Sequence, residues 1–294
     1  MRNIIKISLC SLCLFAVISC NQMGGFKKLA GGVEYKILKD GSTKTNIKVG
    51  DVVSVYIINS TDKDSIIMDS HKSQNGMPPK PFTIPIKASQ GKFDIMGWLI
   101  KLRKGDSAVF MIPTDSIFPD EKMRPPFIKA HSKVKSVITV VDVMSEAQAQ
   151  QKQMDEMKKV AADQDGMIQS YIAEKGLKDV KKTASGLYYI ITKAGSGANA
   201  EAGKMVKMNY TGQLLNGKKF DSNVDTTFHH VKPFEFTLGQ HQVSPGWDEG
   251  VELLNKGAKA TFIVPSALGY GPQANQAIPA NSVLVFDVEL VSFK

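Results

Sequence analysis

Few residues in this chain have the type and spacing for covalent or metal chemistry. The three cysteines, Cys10, Cys13 and Cys20, all lie near the N-terminus. His229, His230 and His241 are neighbours in sequence, but no third ligand at fixed spacing and no cysteine joins them, so no metal site is expected. What remains is a set of aromatic and apolar side chains in strand-like runs. Val206, Met208 and Tyr210 alternate with Lys207 and Asn209, and Phe234, Phe236 and Leu238 alternate with Glu235 and Thr237. Leu284, Phe286, Val288 and Leu290 alternate with Val285, Asp287 and Glu289. A period of two with one apolar face predicts a half-buried antiparallel sheet. It also puts Tyr210 and Phe286 on the core side.

Those strands need a helix to pack on. Trp247, Val251 and Leu254 recur at helical spacing, and Gly257 follows as a stop signal. One short helix on one sheet face is an α+β layer. The arrangement occurs twice. KKLAGGVEYKILKDGS (27–42) matches KKTASGLYYIITKAGS (181–196), and DSIIMDS (64–70) matches NGKKFDS (216–222). KPFTI (80–84) matches KPFEF (232–236), GWLIKLRKGDSAVFMIP (97–113) matches GWDEGVELLNKGAKATFIVP (246–265), and VVDV (140–143) matches VFDV (285–288). Blocks in a shared order imply two similar domains, expected over residues 27–144 and 181–294.

Between the copies, residues 145–165 contain no glycine or proline and favour helix, with Ser145 and Gln148 set as a capping box. A second stretch from Gly166 to Lys175 carries Ile168, Tyr171 and Ile172 on one face and meets Gly176. Residues 145–180 are expected as a helical linker. The sparse stripe of Met154, Met157 and Val160 favours a solvated spacer over a dimerisation or substrate-cradling helix.

Residues 1–19 have the form of a signal peptide: Arg2 and Lys6 precede an apolar run, Ile7 to Ile18, that is too short to span a bilayer. The run ends in Val17-Ile18-Ser19-Cys20, which resembles the bacterial lipobox. Cys20 is then the expected lipid-attachment residue, residues 20–26 a lipidated tether, and the cell envelope, facing the periplasm, the expected location. Processing would leave Cys20 as the only cysteine, so no disulfide is expected. The formal charge is +9, spread over scattered lysines without clustered arginine or interleaved aromatics. That pattern argues against nucleic acid as a partner and for weak attraction to an anionic membrane.

The second copy resembles the FKBP-type peptidyl-prolyl isomerases. The resemblance rests on NYTG (209–212), NGKKFDS (216–222), KPFEFTLG (232–239), QVSPGWDEG (242–250), LGYG (268–271) and AIPANSVLVFDVEL (277–290). It implies an antiparallel sheet wrapped around a short helix, with a shallow apolar pocket between them. It implies proline-containing polypeptides as substrates, binding of macrolide-type inhibitors, and no cofactor. An X-Pro bond rotates slowly because its amide has double-bond character, with a barrier of about 18–20 kcal/mol. An apolar, dry pocket that favours the twisted amide over the planar one lowers that barrier without a nucleophile.

By the same resemblance Trp247 is the pocket floor, and Tyr210, Phe220 and Phe286 are aromatic walls. Asp221 is the acid beside the substrate carbonyl, and Tyr270 carries a hydroxyl for the bound peptide. Phe234, Val243 and Ile278 add lining. Ser244 is a departure: it stands where the family usually has isoleucine or valine. In the first copy, aligning Gly50 with Gly203 places Ile57 opposite Tyr210, Met68 opposite Phe220, Phe118 opposite Tyr270 and Val141 opposite Phe286, while Asp69, Phe82 and Trp98 are retained. That copy is expected to keep the fold without the chemistry and to hold polypeptide near the second. The expected function is an isomerase for exported proteins. The alternative is a non-catalytic chaperone or polypeptide-binding module using the same groove.

Overall fold

The computed structural model describes residues 25–41, 43–72, 79–91, 93–273 and 275–294. The expected signal peptide and Cys20 lie outside these residues. The chain divides into two compact units between Gln151 and Lys152.

In the first unit, seven strands form one antiparallel sheet: β1 (Lys27–Lys28), β2 (Glu34–Lys39), β3 (Asp51–Thr61), β4 (Ile66–Asp69), β5 (Phe82–Pro85), β6 (Ser107–Pro113) and β7 (Lys133–Ser145). Their order is β1-β2-β6-β7-β3-β4, with β5 paired to β3. Two short helices accompany the sheet, α1 (Ile95–Leu99) and α2 (Thr114–Ile117). Asp94 caps α1 by accepting the Met96 N–H at 3.0 Å. The helix drives Trp98 and Leu99 into a core with Val53, Val55, Phe110 and Ile138.

The second unit repeats this plan. Its main sheet joins β8 (Lys181–Lys182), β9 (Tyr188–Lys193), β11 (Met205–Leu214), β12 (Lys219–Ser222), β13 (Phe234–Thr237), β15 (Lys259–Val264) and β16 (Leu284–Phe293), while β10 (Ser196–Asn199) pairs with β14 (Asn255–Lys256). The order β12-β11-β16-β15-β9-β8 is that of the first unit read from the other edge. The fold class expected from alternation, α+β with an antiparallel sheet and a short helix, is therefore present in both units. Here α4 (Pro245–Glu252) lays Trp247, Val251 and Leu254 on Met208, Phe262, Val288 and Leu290. The approach is close: a Cβ on Gly250 would lie 2.7 Å from the Phe262 ring.

The segment between the copies is one helix, α3 (Glu146–Glu174). It begins with the capping box read from the sequence: Gln148 N–H donates to Ser145 Oγ at 3.2 Å, and Ser145 N–H donates to Gln148 Oε1 at 2.9 Å. In its first part Met154 and Met157 are exposed, but the helix is not a bare spacer throughout. Further along, Ile168 is fully buried and joins Tyr188, Ile263, Val283 and Val285 on the outer face of the β9-β15-β16 sheet, with Tyr171 and Ile172 packed beside it. Asp165 adds polar anchors, accepting from Tyr188 Oη and pairing with Lys182.

The reason the helix packs on this sheet face lies in the register. Tyr188 pairs with Ile263 and Ile263 with Val285; the matching triplet in the first unit is Glu34, Met111 and Lys135. There the outer face carries ion pairs instead, Lys133 Nζ to Glu34 Oε2 at 2.6 Å and Lys135 Nζ to Asp64 Oδ1 at 2.8 Å. An apolar outer face needs a cover, and a charged one is served by water. Among the described residues no helix is long and apolar enough to cross a membrane.

Ile168→Ala is expected to destabilise the second unit by about 2–5 kcal/mol, the usual cost of truncating a buried isoleucine. Met154→Ala on the exposed part of α3 should stay within about 0.5 kcal/mol. Denaturant unfolding of the two variants checks both.

Candidate functional site

The site is built on α4 and the strands it faces. Trp247 is buried on α4, and its ring is met edge-on by Tyr210 and Phe286, each with centroids 5.3 Å away at 87° and 89°. Phe234 approaches the same ring at 6.3 Å, and Phe220 stands perpendicular to Phe286 at 5.6 Å. Edge-to-face pairs of this kind are worth about 0.5–1.5 kcal/mol each beyond their buried area. Ile278 is buried in the same cluster and Val243 packs against it. Tyr270 lies half exposed after the 3₁₀ turn Ser266–Leu268.

The polar part is small. Tyr210 Oη donates to Asp221 Oδ2 at 2.7 Å, and His230 Nε2 lies 2.8 Å from Asp221 Oδ1. Burial, then the bond to the Asp221 carboxylate, raises the Tyr210 phenol well above the ordinary tyrosine value. Burial and the Asp221 charge move Tyr270 the same way. Both shifts favour the protonated phenol. Among the described residues, no cluster of His, Cys, Asp or Glu could hold a metal ion.

Three residues that position the site carry no obvious chemistry. Asn223 is buried; its Oδ1 accepts the Tyr210 N–H at 2.7 Å, and its Nδ2 donates to the Met208 and Lys232 carbonyls at 2.9 and 2.8 Å. It ties the segment after Phe220 and Asp221 to β11. Asp248 accepts the N–H groups of Gly239 and His241 at 2.9 and 3.2 Å, fixing the turn that leads to Val243 and Ser244. Ser244 starts α4 without a side-chain capping bond, so the fold does not use its hydroxyl. The third residue is Gly212, where a Cβ would lie 2.7 Å from both the Phe220 and the Phe286 rings. Only a glycine lets these walls close over β11.

Residues 197–291 match the family of FKBP-type peptidyl-prolyl cis-trans isomerases. The second unit carries a domain of this family. The chain is 44% identical over 147 residues to an isomerase of this type, FkpA of Aeromonas hydrophila, covering 48% of this chain and 53% of that one. It is 49% identical over 115 residues to a probable FKBP-type isomerase of Haemophilus influenzae, covering 39% and 45%. The crystal structure of FkpA from Escherichia coli aligns with 36% identity and a TM-score of 0.39, over 51% of this chain and 68% of that one. The chain spans about half the length of the curated relatives it matches.

With the aromatic cluster of the second unit as reference, strand register shows what the first unit has in each place. Ile57 pairs with Ile138 as Tyr210 pairs with Val288, so Ile57 does stand in the tyrosine's place. Phe82 pairs with Val55 as Phe234 pairs with Met208, so Phe82 is retained. Two expectations fail. Phe286 pairs with Gly212 and Phe262; the residue that pairs with Asn59 and Phe110 in the same places is Ser136, not Val141. The VVDV match is slipped by an odd number of residues, which turns a side chain to the opposite face; Val141 is exposed and Ser136 buried. Likewise Asp69 does not replace Asp221. Asp69 pairs with Ile58 as Ser222 pairs with Thr211, and Ser70 N–H donates to the Ile57 carbonyl as Asn223 does to Tyr210. Met68 thus occupies the Asp221 position and Ile67 that of Phe220. Asp69 instead accepts the His71 N–H, which lowers its pKa ahead of the weaker effects of the His71 ring and Lys72. Trp98 is kept, but it stacks on Phe110 at 5.4 Å and 20°.

The raised Tyr210 pKa has a sign. A phenol held above its unfolded value adds stability that is complete below the ordinary tyrosine range and fades as pH rises through the folded value. In a spectrophotometric titration, Tyr210→Phe should therefore leave the absorbance change between about pH 9 and 11, where free tyrosine ionises, the same as wild type. A loss of one tyrosine's worth of signal there would show Tyr210 to be an ordinary phenol.

Proposed function

We propose that the chain is a peptidyl-prolyl cis-trans isomerase whose second unit turns over X-Pro bonds of exported proteins in the cell envelope. The observation that carries this is Trp247, walled edge-on by Tyr210 and Phe286, with the charged edge of Asp221 held by Tyr210. The proline ring rests on Trp247. Phe220, Phe234, Val243 and Ile278 keep water from the amide. A planar X-Pro amide gains from solvation of its charge-separated resonance form, and a dry aromatic bowl withholds that gain, so the twisted amide is bound better. Asp221, beside the walls, meets the carbonyl carbon side of the rotating bond, and Tyr270 hydrogen-bonds the peptide chain. Ser244 offers its backbone to the ligand but less apolar contact than a branched residue. Cys20 carries the lipid that fixes the protein to the membrane. The first unit, with Ile57, Ile67, Met68 and Ser136 in place of the walls and the acid, holds polypeptide without turning it over.

In the full-length protein, Phe220→Ala is expected to reduce kcat/KM for a proline peptide by about tenfold or more, since ~1.4 kcal/mol of transition-state stabilisation corresponds to tenfold. Wild-type-like turnover in this variant would sink the assignment of the pocket. Ser244→Ile should tighten binding of a macrolide-type inhibitor, the added side chain being worth up to about 1.5–3 kcal/mol if fully buried; unchanged inhibitor affinity would remove Ser244 from the site.

A further inference from the structure

Gln164 is an amide buried on α3 with 4% of its surface exposed. Its Oε1 accepts the Ser266 N–H at 2.8 Å, and its Nε2 donates to Ser266 Oγ at 2.8 Å and to the Asn281 carbonyl at 3.0 Å. Ser266 and Asn281 are the two ends of the segment that carries Tyr270 and Ile278. The contacts continue inward. The Ser266 carbonyl accepts the N–H groups of Gly269 and Gly271, at 3.0 and 2.8 Å, which flank Tyr270 on both sides; Asn281 N–H donates to the Gly271 carbonyl at 2.9 Å. One side chain of the helix thus closes a ring of hydrogen bonds around the Tyr270 segment from the face opposite the pocket.

The first unit shows the same segment closed without a helix. Met111 and Ile263 hold matching places in the two sheets, which puts Thr114 in the register of Ser266. Thr114 Oγ1 donates to the Ser132 carbonyl at 3.0 Å and accepts the Ser132 N–H at 3.1 Å, and Thr114 N–H donates to the same carbonyl at 2.9 Å. There the two ends clip directly to each other. In the second unit the corresponding ends are bridged by a residue from outside the FKBP-type sheet, more than 30 positions before the matched region begins. Amide groups buried in this way are costly to leave unpaired, so the segment depends on the helix for its resting position.

We infer that Gln164 is a positioning residue for the pocket: through Ser266 and Asn281 it sets where Tyr270 and Ile278 stand, and so how the pocket grips the peptide around its proline. The inference rests on the isomerase reading for its kinetic consequence and on the hydrogen-bond ring alone for its structural one.

The test uses the full-length protein with Gln164→Leu, which keeps the buried volume and removes every hydrogen bond, and Gln164→Glu, which keeps an acceptor for Ser266 and loses the donor to Asn281. Gln164→Leu should raise KM for proline peptides about fivefold with kcat little changed, the pattern of lost binding shared by ground and transition states, and Gln164→Glu should fall between it and wild type. The loss should not add to that of Tyr270→Phe in the double variant, because both act through one segment. Amide hydrogen exchange at Gly269 and Gly271 should accelerate at least tenfold in Gln164→Leu, with exchange at Tyr210 unchanged. Unchanged KM and unchanged exchange overturn the inference, as does a fall in kcat and kcat/KM that merely tracks the unfolded fraction. If Gln164→Leu does not fold, Gln164→Glu decides by the same two readouts. A wild type without isomerase activity whose Gly269 and Gly271 amides still respond would refute the isomerase reading and leave the positioning role standing.

Discussion

β16 has to be apolar on both faces over part of its length, and much of the second unit follows from that. Its inner side chains, Leu284, Phe286, Val288 and Leu290, build the core under α4. Its outer side chain Val285, with neighbouring Val283, makes a second apolar surface with Tyr188 and Ile263. Water on that second surface would cost the sheet about 25 cal/mol for every Å² left uncovered. α3 supplies the cover, and in doing so delivers Gln164 to the back of the Tyr270 segment. A demand for burial thus brings a polar side chain to the backbone at both ends of the Tyr270 segment.

The aromatic cluster on α4 balances two packing requirements. Trp247 can sit at the centre only because Tyr210 and Phe286 come at it edge-on, and Phe220 and Phe286 can meet only because Gly212 has no side chain. The charged groups stay at the edge. Asp221 is satisfied by a phenol and an imidazole, an arrangement that keeps a carboxylate beside an apolar bowl without burying an unpaired charge.

Much of this was legible in the amino-acid order. Alternation in 206–210, 234–238 and 284–290 gave the strands and the inward direction of Tyr210 and Phe286, and helical spacing gave α4. The capping box at Ser145 and Gln148 marked the start of α3. What failed did so for physical reasons. Short apolar blocks such as VVDV match VFDV well in composition, but strand pairing is decided by register, and an odd slip inverts the faces. The role of α3 was hidden because Val285 had been counted with the polar face; the unbroken run Val283 to Phe286 was the available sign that both faces are covered. Asn223 and Gln164 were silent because an amide's function depends on which backbone groups the fold brings to it, and for Gln164 these lie more than 100 residues away.

The glycine at 212 has a consequence for the first unit. Its counterpart in the register is Asn59, paired with Met68 and Ser136 as Gly212 is paired with Asp221 and Phe286. In the second unit even a Cβ at this position would lie 2.7 Å from both rings, so two aromatic rings in that arrangement require glycine where the first unit has asparagine. One aromatic substituted alone in the first unit therefore does not rebuild the ring pair of the second: the residue at the crossing point has to change with it.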